Sequence, residues 1–108
     1  MIKRPWGGYI ILKKTVGYWV KKLFVHPKAR LSLQSHEHRQ EVWYILSGKI
    51  IAQIGSKKHS GKSGDVFIVP KKKKHRIIGV EKAVILEVAF GKTLETDIKR
   101  YEDDYGRA

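Results

Sequence analysis

The sequence predicts an all-β fold, a sandwich or small barrel filling residues 1–108 as one domain. Three observations carry that expectation. Short runs rich in β-branched and aromatic residues recur from Tyr9 to Phe90, the pattern of antiparallel sheets. Glycines punctuate the runs where a hairpin needs positive φ. A length of 108 residues leaves room for one core and none for a second catalytic or nucleotide-binding half.

Taken in order, Tyr9 to Thr15 and Tyr18 to Val25 read as strands joined by a turn at Val16-Gly17. Leu31 to His36 follows, with a period of two that continues through His36 and His38 and sets Gln34, His36 and His38 on one face. Glu41 to Ser47 and Lys49 to Ile54 form a pair closed tightly at Ser47-Gly48. Gly55 to Gly64, polar and with three glycines, is expected to be an exposed turn region. Asp65 to Val69, Arg76 to Val80 and Ala83 to Ala89 complete the strands. Thr93 to Tyr105 differs, because Leu94, Ile98 and Tyr101 fall at spacings of four and three, which predicts a short amphipathic helical segment against the barrel.

Composition excludes several classes of function. With 42% hydrophobic and 31% charged residues the chain is neither disordered nor membrane-spanning, and no apolar run approaches the ~20 residues of a transmembrane helix. There is no cysteine, so disulfides, thiolate metal sites and cysteine nucleophiles are all excluded. Met1 to Pro5 lacks the apolar stretch of an export signal, and a cytoplasmic location is expected. The 23 basic and 10 acidic residues give a net charge of +13, held by the body, whereas residues 77–108 carry 5 basic and 7 acidic side chains. Such a body attracts anions, and a lysine-rich surface also suits a heat-adapted protein. Nucleic acid is not the expected partner, since no recognised binding motif accompanies the charge.

The chemistry concentrates between Leu31 and Tyr44, where Gln34, His36, His38, Arg39 and Glu41 crowd onto strand-like sequence, and at His75 before a later strand. Inward-facing His, Gln and Glu are costly to bury unless hydrogen-bonded or bound to a cation. Imidazole nitrogen with carboxylate or amide oxygen suits zinc, iron, manganese, nickel or cobalt.

These residues carry a resemblance. Gly64-Asp65-Val66-Phe67-Ile68-Val69-Pro70 followed by His75 resembles the second cupin motif, and the His-rich strand ending in Glu41, with Gly48 seven positions later, resembles the first. More narrowly, Arg4-Pro5-Trp6-Gly7, Leu31-Ser32-Leu33-Gln34, His36-Glu37-His38-Arg39, His75-Arg76 and Glu102-Asp103-Asp104-Tyr105-Gly106-Arg107 are similar to type II mannose-6-phosphate isomerase domains. The resemblance implies a double-stranded β-helix, a jelly-roll-like small barrel. It also implies a freestanding form of a domain that commonly follows a guanylyltransferase domain.

By the same resemblance the metal ligands are Gln34, His36, Glu41 and His75, since four residues separate His36 from Glu41 as the first motif requires. The alternative set replaces Gln34 by His38. The cofactor is a divalent metal, zinc first, with manganese, iron, nickel or cobalt as alternatives. The implied reaction interconverts mannose 6-phosphate and fructose 6-phosphate through an enediol, with His38 or Glu87 as the proton shuttle. Arg39, Lys21 and Arg107 are the implied grips on the phosphate of a small anionic substrate. The alternative is a non-catalytic metal-binding module for a sugar phosphate or nucleotide sugar. A homodimer is expected, and no membrane partner. Four residues depart from the family pattern: Lys72 stands where the second motif has glycine, Lys28 stands beside Pro27 where Pro-Gly is usual, Gly79 stands where Asn is frequent, and Ala89 stands where a polar residue is common.

Overall fold

Alternating apolar side chains build two sheets whose inner faces close on one another. The computed structural model describes residues 1–108 and contains strands and turns only. In order these are Ile2–Arg4 (β1), Gly7–Lys14 (β2), Tyr18–Val25 (β3), Leu33–Ser35 (β4), Arg39–Ser47 (β5), Lys49–Ile54 (β6), Lys57–Lys62 (β7), Val66–Val69 (β8), His75–Gly79 (β9), Ala83–Gly91 (β10) and Lys99–Glu102 (β11). One sheet has six antiparallel strands in the order β1-β2-β3-β10-β5-β8, the other five in the order β11-β4-β9-β6-β7. From β3 onward the chain passes back and forth between the sheets, pausing only at the β6–β7 hairpin, and this winding makes a double-stranded β-helix.

The inward positions change character along each strand. On β3 they run Lys21, Leu23, Val25; on β5 Arg39, Glu41, Trp43, Ile45; on β9 His75, Ile77. Register aligns the change across the six-stranded sheet, with Lys21, Glu87 and Trp43 in one row and Leu23, Ile85 and Ile45 in the next inward one. The interior therefore has an apolar end, built on Trp43, Ile45, Ile50, Ile77 and Ile85, and a polar end. Outside, the six-stranded sheet shows apolar rows, Leu86–Tyr44–Val66 and Val88–Val42–Ile68, while the other sheet sets Lys49 against Lys62.

Gly48 closes the β5–β6 hairpin with φ 79, and a Cβ there would lie 2.1 Å from the Lys82 carbonyl oxygen. Lys28 and Lys72 take left-handed φ values of 65 and 66, so both lysines adopt the conformation of the glycine they replace. Gly79 is explained by closeness, since a Cβ would sit 2.2 Å from the His26 carbonyl oxygen.

The structure corrects two expectations. Gly55 to Gly64 is not simply a turn region: Lys57–Lys62 is edge strand β7, registered against β6. Its lysines hide it from a search for alternation, because an edge strand exposed along nearly its whole length needs no apolar face and is protected by charge. Thr93 to Tyr105 is not helical but runs through turns into β11. A helix would need each carbonyl for the N–H four residues on, and here the Asp97 carbonyl accepts from His36, while the Leu94 carbonyl accepts from Arg39 and, in a turn, from the Asp97 N–H.

Candidate metal centre

At the polar end of the interior, short β4 delivers Gln34 and leads directly to His36, β5 delivers Arg39 and Glu41, and β9 begins with His75. Gln34 pairs directly with His75 in register, so the two face the same side. The inward series stops at His36. The Asp97 carboxylate accepts from the Glu37 and His38 backbone N–H groups at 2.9 Å each and bends the chain between β4 and β5, which leaves His38 exposed and turns Arg39 and Glu41 inward.

His36, Glu41 and His75 are buried, and one ligand atom from each lies within 4.8 Å of the others. His36 Nε2 is 3.4 Å from Glu41 Oε2, and His75 Nε2 is 3.7 Å from Glu41 Oε1. Both rings are oriented from behind: Nδ1 of His36 donates to the Asp97 carbonyl at 2.7 Å and Nδ1 of His75 to the Lys73 carbonyl at 2.8 Å. A carbonyl can only accept, so each Nδ1 carries the proton and each Nε2 offers its lone pair to the centre. Burial first, then the neighbouring Arg39 and His75 charges, lowers His36 to about 4 against the pull of Glu41, so its ring is neutral at pH 7. Burial opposes ionisation of Glu41, but His75, His36 and Arg39 together outweigh it and hold the carboxyl below its usual value.

Two imidazole nitrogens and a carboxylate oxygen, all buried, with an amide beside them, are a donor set that fits a divalent metal. Arg39 holds part of that set. Its Nε donates to Glu41 Oε2 at 3.1 Å and its Nη2 to His36 Nε2 at 3.2 Å, while Nη1 reaches the Leu94 carbonyl at 3.0 Å and the guanidinium lies 4.3 Å from the Trp19 ring centre. A metal held by His36 and Glu41 would compete with Arg39 for the lone pairs these two hydrogen bonds use.

The centre opens on a cavity of about 140 Å³ whose lining includes Gln34, Arg39, Glu41, His75, Lys21 and Glu87. Glu87, on β10, accepts a hydrogen bond from Trp19 Nε1 at 3.1 Å. Burial, reinforced by the Glu41 charge, raises its carboxyl to about 8 against Lys21, Arg39 and the Trp19 bond. Lys21 is buried and paired with Glu95 at 2.7 Å. Of the predicted site residues, His36, His38 and Arg107 lie outside this lining: His36 is buried behind Arg39, His38 is exposed, and Arg107 is paired with Asp103 at 2.8 Å. Trp43 is core and gives its indole N–H to Glu41 at 3.2 Å. Glu95 and Asp97 are site residues that the sequence reading did not single out. The signal available for them was the acidic tail of a basic chain, which returns to neutralise and orient cations and imidazoles of the body.

The family model for the mannose-6-phosphate isomerase C-terminal domain matches residues 1–103. The chain belongs to that family. It is 38% identical to the alginate biosynthesis protein AlgA of Pseudomonas aeruginosa over 109 residues, covering 98% of this chain and 23% of the relative. It is 36% identical to the mannose-1-phosphate guanylyltransferase ManC of Salmonella typhimurium over 110 residues, again 98% of this chain and 23% of the relative. The chain thus spans under a quarter of the length of these relatives. Among solved structures, a conserved double-stranded β-helix protein from Klebsiella pneumoniae aligns with a TM-score of 0.76 at 20% identity, covering 86% of this chain and 77% of that one, and shares the fold. No helix in this family member is long and apolar enough to cross a membrane.

Proposed function

We propose that this isomerase-family domain interconverts mannose 6-phosphate and fructose 6-phosphate in the cavity at the polar end of the barrel. The observation that carries the reading is the cluster of His36, Glu41 and His75, of which Glu41 and His75 line the same cavity as Glu87. His36, Glu41 and His75, with Gln34 as fourth donor, would hold a divalent metal, zinc first. When bound, that metal supplies a Lewis acid for the substrate carbonyl.

The chain's own residues do the rest. The Asp97 and Lys73 carbonyls fix the tautomers of the ligand rings. Glu87, with a carboxyl near 8, is mostly protonated at neutral pH yet deprotonates readily, so it can give a proton to one carbon of the enediol and take one from its neighbour. Trp19 holds it in place through the indole N–H. Lys21, one strand away in register with Glu87, keeps positive charge beside the developing oxyanion. His38, exposed and outside the lining, has no part in this scheme.

The test is to load the protein with zinc, manganese, iron, nickel or cobalt in turn and follow fructose 6-phosphate appearing from mannose 6-phosphate. Turnover with at least one metal, abolished by Glu87→Gln, is expected; no turnover with any of them rejects the reading. A module that binds sugar phosphate without converting it is the second reading, favoured by Arg39, whose hydrogen bonds occupy His36 Nε2 and Glu41 Oε2. Calorimetric binding with no product formed would establish it.

A further inference from the structure

We propose that Arg4 and Arg100 form the seat for the substrate's phosphate group, where one edge strand of each sheet meets the cavity rim. This rests on the sugar-phosphate reading and names the part of the substrate that the metal centre does not touch.

The cations that the sequence singles out for this task are already engaged by carboxylates of the protein. Lys21 is paired with Glu95 at 2.7 Å, Arg39 with Glu41 at 3.1 Å and Arg107 with Asp103 at 2.8 Å. Two others are not. Arg4, on edge strand β1, lines the cavity and donates only to the Lys3 carbonyl at 2.9 Å and the Tyr9 hydroxyl at 3.4 Å. Arg100, on edge strand β11, makes no ion pair, and its Nε is buried without a hydrogen-bond partner. A buried guanidinium N–H with nothing to bond is unfavourable, and an anion at that position would satisfy it.

Register places this demand relative to the metal centre. Arg100 stands opposite Gln34 on β4, and Gln34 stands opposite His75 on β9, so all three share one face of the sheet. Two strand spacings, about 10 Å, separate the backbones of Arg100 and His75. Electrostatics agrees: burial first, then the like charges of Arg107 and Arg4, holds Arg100 below its usual value, and the nearby Asp103 is engaged by Arg107. Arg4 lines the cavity, and Arg100 lies outside that lining but close enough to feel the Arg4 charge; two such guanidiniums suit a phosphate monoester dianion, which a guanidinium grips through two oxygens. The separation acts as a ruler. It selects a sugar phosphorylated at the end remote from its carbonyl carbon and disfavours a sugar 1-phosphate.

The test titrates metal-loaded protein with mannose 6-phosphate, mannose 1-phosphate, mannose and inorganic phosphate. Wild type is compared with Arg100→Met, Arg4→Met, Arg100→Lys and, as a charge control, Lys58→Met on exposed β7. Arg100→Met and Arg4→Met should each weaken mannose 6-phosphate binding about 10- to 100-fold, the size of losing a hydrogen bond to a charged group. Metal affinity, measured separately, should stay as in wild type. Arg100→Lys should recover part of the loss, Lys58→Met should change nothing, and mannose 1-phosphate should bind more weakly than the 6-phosphate throughout. Inorganic phosphate bound in an Arg100-dependent way, with no turnover of any sugar phosphate, would uphold this seat while rejecting the isomerase reading. Folded, metal-loaded Arg100→Met and Arg4→Met proteins that bind mannose 6-phosphate as wild type does would overturn the seat even if the isomerase is active. Failure of wild type to bind either phosphate would overturn it as well.

Discussion

The two ends of the interior are made by the same strands and differ in everything else. Strand β10 sends Ala83 and Ile85 into the apolar end and Glu87 into the polar end, and β5 sends Ile45 one way and Glu41 and Arg39 the other. At the apolar end burial alone is favourable, by about 25 cal/mol per Å² of apolar surface. At the polar end each buried polar group is tolerable only because a partner answers it: Glu41 has Arg39 and the Trp43 indole, Lys21 has the half-exposed Glu95, and the neutral His36 ring has the Asp97 carbonyl. Alternation along a strand thus decides which side chains are enclosed, and the identity of a few enclosed residues decides whether a given end holds the protein together or does chemistry.

That contrast can be broken or sharpened experimentally. The largest effect belongs to Glu41→Gln, which strands Arg39 without its counter-charge. Urea unfolding should show a loss of about 3–5 kcal/mol, and metal analysis should find the protein empty. Pairing Glu41→Leu with Arg39→Met should recover most of that stability with no return of metal, since buried ion pairs are often no better than apolar residues of similar size. Next, Ile85→Ala at the apolar end should cost about 2–5 kcal/mol while metal affinity, measured on the folded protein, stays within about twofold of wild type. A large loss of metal affinity here would show that the two ends are not separable.

Arg39→Gln should act in opposite directions on two measurements: metal affinity rises about tenfold or more because the competitor for His36 Nε2 and Glu41 Oε2 is gone, and the metal-free protein becomes less stable. The smallest effect is a pH slope. Glu87 is raised in the folded state, so the folded protein holds a proton that the unfolded chain has released. Its contribution is full below about 4.5 and fades as pH climbs to about 8. Thermal melts from pH 5 to 9 should show a decline in stability that is shallower in Glu87→Gln.

How much could be read from sequence follows the same division. Strands with an enclosed face, such as β3, β5 and β10, were legible through alternation, and Gln34, His36, Glu41 and His75 through the spacing of the family motifs. β7 was not, because lysines occupy an edge that has nothing to bury. The segment after β10 was misread as helix because the period of Leu94, Ile98 and Tyr101 gives no hint that its backbone carbonyls serve Arg39 and His36 across the fold. His38 continues a period of two that Asp97 interrupts from 59 residues away in sequence. Lys28 and Lys72 depart from the family's glycines as letters, yet the backbone makes the glycine turn regardless, and the Lys72 N–H bonds the His36 carbonyl at 2.7 Å.

The outer face of the six-stranded sheet carries a last consequence. Tyr44, Val66, Ile68 and Phe90 stand exposed there on a molecule of net charge +13. Any copies that met on that greasy panel would be pushed apart by their shared sign, and dissolved ions shorten the push to roughly 8 Å at physiological strength while leaving apolar attraction intact. Self-association of this chain should therefore tighten as electrolyte is added, the reverse of what its lysines do with any acidic partner.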